Sequence, residues 1–164
     1  GDLKPSPRNR RGRYVSAQVK VPIPAYEKMS KTGIEKLLSY MEIDRQGVMQ
    51  EQGGFVYSGM GGEIIPALYR GTKVNPRPYN VSCTENVYVE IKGEDVIFGV
   101  ELPNLEVGAA SNREGPICPT AREVLKFMGI GTSREFAAAA AAITLAGEFN
   151  FALLHLRGEM YAGK

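Results

Sequence analysis

The 164-residue sequence predicts an α+β fold in which an antiparallel sheet packs around one long, buried, alanine-rich central helix. The sheet is indicated by residues 13–21, where apolar and polar side chains alternate, and by residues 86–91 and 95–102, which form a hairpin pattern. The helix is indicated by the segment from Ser133 to about Tyr161, which contains six consecutive alanines and few charges on any side. A helix that is apolar all round is expected to be buried nearly all round.

The chain opens with a basic segment. Prolines and a glycine keep residues 1–12 out of regular structure, so we expect an irregular basic arm followed by a single domain, residues 13–164. Residues 1–20 hold six basic residues and one acidic residue, whereas the net charge of the whole chain is +2. Two interpretations stay open: the segment 4–13 contacts the phosphates of RNA or of a nucleotide-bearing ligand, or it is a solvated tail.

Two helices are predicted between the first strand and the hairpin. From about Ala25 apolar residues recur at three- and four-residue spacing, and Gly33 weakens or interrupts this helix. Residues 47–62 are rich in glycine and are expected to form loops. A short helix follows and is expected to stop at Gly71, with Pro66 either near its first turn or kinking it.

The segment PTAREVLKFMG predicts a further helix after the hairpin. Thr120 and Glu123 have the spacing of a capping box, in which each residue satisfies a backbone N–H group at the start of a helix. Gly129 is a typical residue just past the end of a helix. The long helix from Ser133 completes the predicted order of elements.

The composition indicates a globular protein, with 43% hydrophobic and 23% charged residues. Glu148 and Asn150 interrupt the longest apolar stretch, so no membrane span is expected. Cys83 and Cys118 have no partner at metal-ligand spacing, which favours free thiols in a reducing compartment, either the cytoplasm or an organelle matrix. Because the chain begins with glycine and lacks a signal-peptide pattern, we expect a fragment or a processed chain.

Individual motifs give weak indications of chemistry. His155 is the only histidine and lies in the apolar helix, where a core or interface histidine is favoured over a catalytic one. The glycine-rich stretch 53–62 lacks both common phosphate-binding glycine patterns, so structural glycines are favoured there. No catalytic residue and no metal site is predicted from local motifs.

Seven stretches of the chain carry a resemblance when they are taken in order. They are DLKPSPRN, GRYVSAQVKVP, SKTGIE, GGFVYSGMGGEIIPALYRGTKV, LPNLEVG, PTAREVLKFMG and LAGEFNFALLHLRGE. Together they resemble the C-terminal half of the hydroxymethylglutaryl-CoA reductase family: the first is similar to its Asp-Lys-Lys-Pro loop, and the last is similar to its long central helix. The resemblance covers essentially the whole chain and implies that residues 13–164 form half of that family's large domain.

The resemblance also implies an activity. That family works as a dimer with the active site between subunits, and it reduces a CoA thioester to an alcohol with two NADPH. Its chemistry uses a lysine, an aspartate, a glutamate and a C-terminal histidine, which stabilise the oxyanion and supply protons. If the activity is retained, the resemblance implies that Asp2, Lys4 and Asn9 line the substrate site and that NADPH and a CoA ester bind.

Several positions depart from the family pattern. Leu3 stands where the family has the first lysine of Asp-Lys-Lys-Pro, and an isobutyl group cannot stabilise an oxyanion. Lys73 stands at the aspartate of the Gly-Gln-Asp element, which reverses the charge. The catalytic histidine has no counterpart up to Lys164, and residues 108–114, GAASNRE, place side chains where the family has glycines.

Three hypotheses follow. The first is a degenerate, non-catalytic relative without a cofactor that serves as a scaffold in a homo-oligomer or hetero-complex. The second is a divergent NADPH-dependent CoA-thioester reductase, or a CoA-ester binder, completed by an N-terminal part or a second chain, with Asp2, Lys4 and Asn9 in its site. The third is an assembly subunit that contacts RNA through residues 4–13.

Overall fold

The computed structural model describes residues 13–42, 60–72, 85–105 and 119–159, and it confirms the α+β fold class. These ranges contain three strands and five helices. In chain order they are β1 (Arg13–Pro22), α1 (Ile23–Ser30), α2 (34–42), α3 (Met60–Thr72), β2 (Asn86–Lys92), β3 (Asp95–Leu105), α4 (Pro119–Phe127) and α5 (Ser133–Arg157).

The three strands form an antiparallel sheet in the order β1-β3-β2, so β3 is the central strand. The predicted hairpin is confirmed: Lys92 pairs with Asp95, and Gly93 and Glu94 form the two-residue turn between them. Gly93 has a φ of 61°, which glycine adopts without the steric cost that a side chain brings. β1 adds to the other side of β3 through a pairing that is distant in sequence.

The two faces of the sheet differ as the alternation in β1 predicts. The inner face carries Val96, Phe98, Val100 and Leu102 of β3, all of them buried in the hydrophobic core. On this face the ring of Phe98 meets the ring of Phe149 of α5 edge-on, with 5.2 Å between the ring centroids. The opposite face, called the outer face below, carries the polar residues of the alternating pattern.

α5 begins with a capping box that the sequence analysis did not identify. The Thr132 side chain accepts a hydrogen bond from the Glu135 N–H, and the Glu135 carboxylate accepts one from the Thr132 N–H. The helix ends at Arg157, four residues before the expected Tyr161, because Gly158 adopts a left-handed conformation and its N–H bonds to the last turn.

The expectation that α5 is buried nearly all round is wrong. One side packs on β1, β3 and α3, and its buried residues include Phe136, Ala140 and Leu145. The other side is exposed at Ala142 and at Ile143, whose exposed fraction is 38%. The sheet and α3 therefore cover one side of α5.

α5 is also long enough and apolar enough to cross a membrane by length and composition alone. Its mean hydropathy is 1.5 over its most apolar window. Glu148 and Asn150, which were expected to interrupt the apolar stretch, do not bring it below that criterion. Core helices satisfy the same test, and α5 packs against a sheet, so its composition does not show a membrane span.

The predicted interruption at Gly33 is confirmed, since α1 and α2 are separated by residues 31–33. Lys31 ends α1 in a left-handed conformation with a φ of 57°, and the Glu27 carboxylate accepts a hydrogen bond from the Ile34 N–H at 3.2 Å. α1 starts at Ile23, two residues before the expected Ala25, because a proline fits the first turn of a helix, where its missing N–H needs no partner.

Two predicted helix boundaries are wrong. α3 does not stop at Gly71 but continues to Thr72, whose hydroxyl donates to the Leu68 carbonyl at 2.7 Å. Thr120 does not cap α4, because it lies inside the helix, which already includes Pro119.

Candidate functional site

The residues that the sequence analysis assigned to a substrate site, Asp2, Lys4 and Asn9, lie outside the described residues. The substituted positions Leu3 and Lys73 do so as well. The loop 108–114, Cys83 and Cys118 are in the same situation. The structure therefore leaves the assignments of these residues as predictions.

The strand register fixes where two of these segments join the sheet. Arg13, the first residue of β1, pairs with Leu105, the last residue of β3. The basic arm (residues 1–12) and the segment that contains the loop 108–114 therefore leave the sheet at the same end. We call this end the arm end of the sheet. The side chains of the strand residues at this end form the candidate site.

A carboxylate at the arm end connects all three strands on the outer face. The Tyr14 hydroxyl of β1 donates to Glu101 Oε1 of β3 at 2.6 Å, and the Asn86 amide of β2 donates to Glu101 Oε2 at 2.9 Å. The register places Ser16, Glu101 and Asn86 side by side, which brings residues 85 positions apart into one cluster. Glu101 is half-buried, and each of its oxygens accepts one neutral donor.

The next set of paired residues on the outer face contains Tyr88, whose ring lies across the central strand β3. Gln18, Gly99 and Tyr88 are paired across the sheet, and the Tyr88 hydroxyl donates to the Gln18 amide oxygen at 3.3 Å. A Cβ at residue 99 would overlap the Tyr88 ring, so glycine is required for this close approach. The ring therefore lies next to the Glu101 row.

The pKa values of both tyrosines on this face are raised, each for a different main reason. The hydrogen bond to Glu101 is the main cause for Tyr14, with a smaller contribution from burial. Burial raises the pKa of Tyr88 first, followed by the negative charges of Glu101 and Glu90. Both phenols therefore stay protonated at neutral pH and act as hydrogen-bond donors.

The hairpin end of the outer face is different, because it contains an ion pair. Lys20 and Asp95 form an ion pair with 2.7 Å between Nζ and Oδ2. Glu90 lies in the row of Lys20 and Ile97 and is exposed. The outer face thus has one ion pair at its hairpin end and, at its arm end, a carboxylate that is hydrogen-bonded to neutral groups.

His155 lies on the surface near the end of α5 rather than in the core. Its ring is 4.8 Å from that of Tyr40 and 6.4 Å from that of Phe151, measured between centroids. The core interpretation of this histidine is therefore wrong, and its role at an interface stays a prediction. No group of three or more His, Cys, Asp or Glu residues within the described ranges could hold a metal ion.

A shallow groove occurs elsewhere, along α4 and the turn that follows it. Its walls are basic and apolar, and they consist of Arg122, Leu125, Lys126, Gly129, Ile130 and Gly131. None of these residues belongs to the arm end of the sheet. The groove therefore adds no group to the candidate site.

Sequence reasoning missed the cluster around Glu101, although part of the signal was present. With a two-residue turn at Gly93 and Glu94, counting along the hairpin places Asn86 opposite Glu101. The alternation in β1 also places Tyr14 on the polar face. The missing information was the register between β1 and β3, which no local pattern encodes.

Comparison with known proteins supports the resemblance seen in the sequence. No family model matches the chain. The chain is 26% identical to 3-hydroxy-3-methylglutaryl-coenzyme A reductase from Aeropyrum pernix, in an alignment that covers 91% of the chain. It spans 38% of the length of that enzyme. This distant similarity supports a relationship to the reductase without assigning its activity to the chain.

Proposed function

We propose that this chain is a reductase-like subunit that keeps the packing of the hydroxymethylglutaryl-CoA reductase fold and does not catalyse its reaction. One observation carries the proposal: Leu3 and Lys73 stand where the resemblance places a catalytic lysine and a catalytic aspartate. A hydrocarbon stabilises no oxyanion, and a lysine places a positive charge where the resemblance implies the negative charge of a carboxylate. The two substitutions remove different functions of the same site.

The described residues support the proposal through what they retain. The stretch LAGEFNFALLHLR forms the second half of α5, and Leu145, Ala152 and Leu156 of this stretch are in the core. Phe149 from the same stretch packs its ring on Phe98 of β3. The stretch that resembles the family's central helix therefore contains residues that pack the helix on the sheet.

We further propose that the chain works within a larger assembly, as a homo-oligomer or with a second chain. Phe127 at the end of α4 is 93% exposed, and Ile143 on the open side of α5 is 38% exposed. Burying a phenylalanine side chain contributes about 1.5–3 kcal/mol, so a partner that covers Phe127 would gain stability from this contact.

The catalytic part of the proposal is tested with hydroxymethylglutaryl-CoA and NADPH. We expect neither NADPH oxidation, followed by absorbance, nor CoA binding, followed by calorimetry, under conditions in which the archaeal reductase is active. The double variant Leu3→Lys with Lys73→Asp should restore no activity if the rest of the site has also been lost. Turnover by the unmodified protein would contradict the proposal and favour a divergent reductase.

The assembly part is tested separately by sedimentation velocity and by identifying co-purifying chains. We expect a species heavier than the 17.9 kDa chain. A stable, well-folded monomer at all concentrations would contradict the assembly role and leave the catalytic question to the turnover assay.

A further inference from the structure

The turn that follows α4 builds the apolar floor of the groove described above. The Ile130 N–H donates to the Leu125 carbonyl at 2.8 Å, and the Gly129 N–H donates to the Lys126 carbonyl at 3.1 Å. These two hydrogen bonds form a Schellman motif, which Gly129 permits through its φ of 68°. The motif commonly brings the side chains at the positions of Leu125 and Ile130 together, and here both are half-buried and line the groove. The apolar floor therefore follows from the way in which the helix ends.

Two cations line the same groove. Arg122 and Lys126 are four residues apart, which places them on one face of α4, and both are exposed. Glu123 is also exposed on α4 but does not line the groove. Glu135 contributes a negative charge near Gly131, whose N–H donates to its carboxylate at 2.8 Å. The groove thus combines an apolar floor with positive charge along α4 and negative charge near the start of α5.

The shape of the groove favours a segment of protein chain over a small molecule. Its volume is about 480 Å³, and it is shallow and open to solvent. Small-molecule sites bury most of the surface of their ligand, which a shallow groove does not do. A segment of another protein would cover the groove from outside and place an apolar side chain on Leu125 and Ile130.

The charge of the groove selects the chemistry of that segment. Positive and negative patches face each other across protein interfaces, so carboxylates of the segment would face Arg122 and Lys126. An arginine binds a carboxylate through two parallel hydrogen bonds, which adds geometric specificity. RNA is a weaker match, because contacts between cations and phosphates leave the apolar floor unused.

Phe127 adds a large apolar side chain beside the groove. It directly follows Lys126 in the chain and is 93% exposed. Exposed apolar surface with a polar rim is typical of interaction sites, and phenylalanine is enriched at protein interfaces. We propose that the α4 groove and Phe127 dock an acidic segment of a partner protein that also carries apolar side chains. The inference rests on the assembly role proposed above and names its surface and the chemistry of the partner.

The test uses a library of short random peptides displayed on phage, which is selected against the full chain. We expect the enriched peptides to combine aspartate or glutamate with leucine, isoleucine or phenylalanine. An enriched peptide should bind the Lys126→Glu variant about tenfold more weakly, because a like charge then faces its carboxylates. Phe127→Ala should also weaken binding, since it removes an apolar contact.

A matched control uses a lysine on a different helix. Lys28→Glu makes the same change of charge at an exposed position of α1, and we expect it to keep the affinity of the unmodified protein for the peptide. Circular dichroism checks that all three variants are folded. The proposal is overturned if no peptide is enriched, if the enriched peptides are basic, or if Lys126→Glu and Lys28→Glu bind them equally well.

Other occupants of the groove give different results. Binding of a short single-stranded RNA that Lys126→Glu abolishes, without enrichment of acidic peptides, would overturn the proposal in favour of nucleic acid. Self-association of the purified chain that Lys126→Glu abolishes would overturn it in favour of a second copy.

Sedimentation velocity of the Lys126→Glu variant separates this inference from the assembly role. A natural complex that persists unchanged in the variant would leave the assembly role intact and overturn docking at the groove. A monomeric unmodified chain that binds acidic peptides through Lys126 would contradict the assembly role and support the docking surface.

Discussion

Gly99 shows how a single residue shapes the outer face. Tyr88 crosses the central strand at this position, and a Cβ there would overlap its ring. Gly99→Ala should therefore force Tyr88 to move and should lose the hydrogen bond to Gln18. We expect a loss of about 1–3 kcal/mol in the free energy of unfolding, measured by urea denaturation with circular dichroism.

A Tyr88→Ala background serves as the control for this prediction. Without the ring, Gly99→Ala should be neutral or slightly stabilising, because alanine loses less backbone entropy than glycine when a strand forms. If Gly99→Ala costs the same in both backgrounds, the backbone at residue 99 rather than the Tyr88 ring sets the requirement for glycine.

At the residue scale, glycines were the most readable signals and side-chain clusters the least. Gly129 adopts a positive φ just past the end of α4, as the sequence predicted, and Gly93 adopts the positive φ that suits a tight hairpin turn. Gly71 is also a glycine, but it lies inside α3, where an added Cβ would meet no atom within 4 Å. A glycine therefore marks a boundary only where the backbone needs its conformation. The cluster of Tyr14 and Glu101 depends on a distant pairing and could not be read locally.

At the element scale, the start of α5 rests on the capping box of Thr132 and Glu135. The Glu135 carboxylate accepts hydrogen bonds from the N–H groups of Gly131 and Thr132, each at 2.8 Å, and from the Thr132 hydroxyl at 3.0 Å. The backbone N–H of Gly131 is the main cause that lowers the pKa of Glu135 below its usual 4.5. The ionised Glu135 carboxylate therefore contributes its full stabilisation above pH 4.5. This contribution is lost as the pH falls through the lower pKa that Glu135 has in the folded state.

Glu135→Gln should consequently be less stable than the unmodified protein at about pH 7, and the difference should shrink at about pH 3. Thr132→Ala should cost about 1 kcal/mol, because it removes the side chain that caps the first turn. Urea denaturation at both pH values measures these differences. Arg134→Ala, a change at the exposed neighbouring position, is the control and should show a small effect at either pH. A deficit of Glu135→Gln that is equal at both pH values would contradict the assignment.

The existence and order of the elements in the described ranges were predictable, and their exact starts were not. The pattern of a capping threonine with a glutamate three residues later occurs at Thr120 and again at Thr132. At Thr120 the helix has already begun, since Pro119 fits its first turn. At Thr132 the preceding Gly131 supplies an additional N–H for the carboxylate. The same local pattern thus has two outcomes, and the backbone before it decides between them.

At the scale of the whole molecule, the sequence predicted that a long alanine-rich helix packs on an antiparallel sheet but not which side of the helix is buried. An amphipathic helix shows its buried side through the spacing of its apolar residues. α5 is apolar on all sides, so no such spacing exists, and the contacts with β1, β3 and α3 choose the side. The predicted substrate residues Asp2, Lys4 and Asn9 lie outside the described ranges, so the larger part of the predicted site stays a prediction.

Two alanines of α5 test the one-sided packing of the molecule. Ala140 is fully buried, whereas Ala142 is exposed on the open side. Leucine and alanine have similar helix propensities, so the same substitution at both sites differs mainly in packing. Ala140→Leu should lower the free energy of unfolding by about 1–3 kcal/mol or more through overpacking. Ala142→Leu should stay within about 0.5 kcal/mol of the unmodified protein. Urea denaturation measures both, and an equal loss at the two sites would mean that the whole chain covers α5 on both sides, as its composition first predicted.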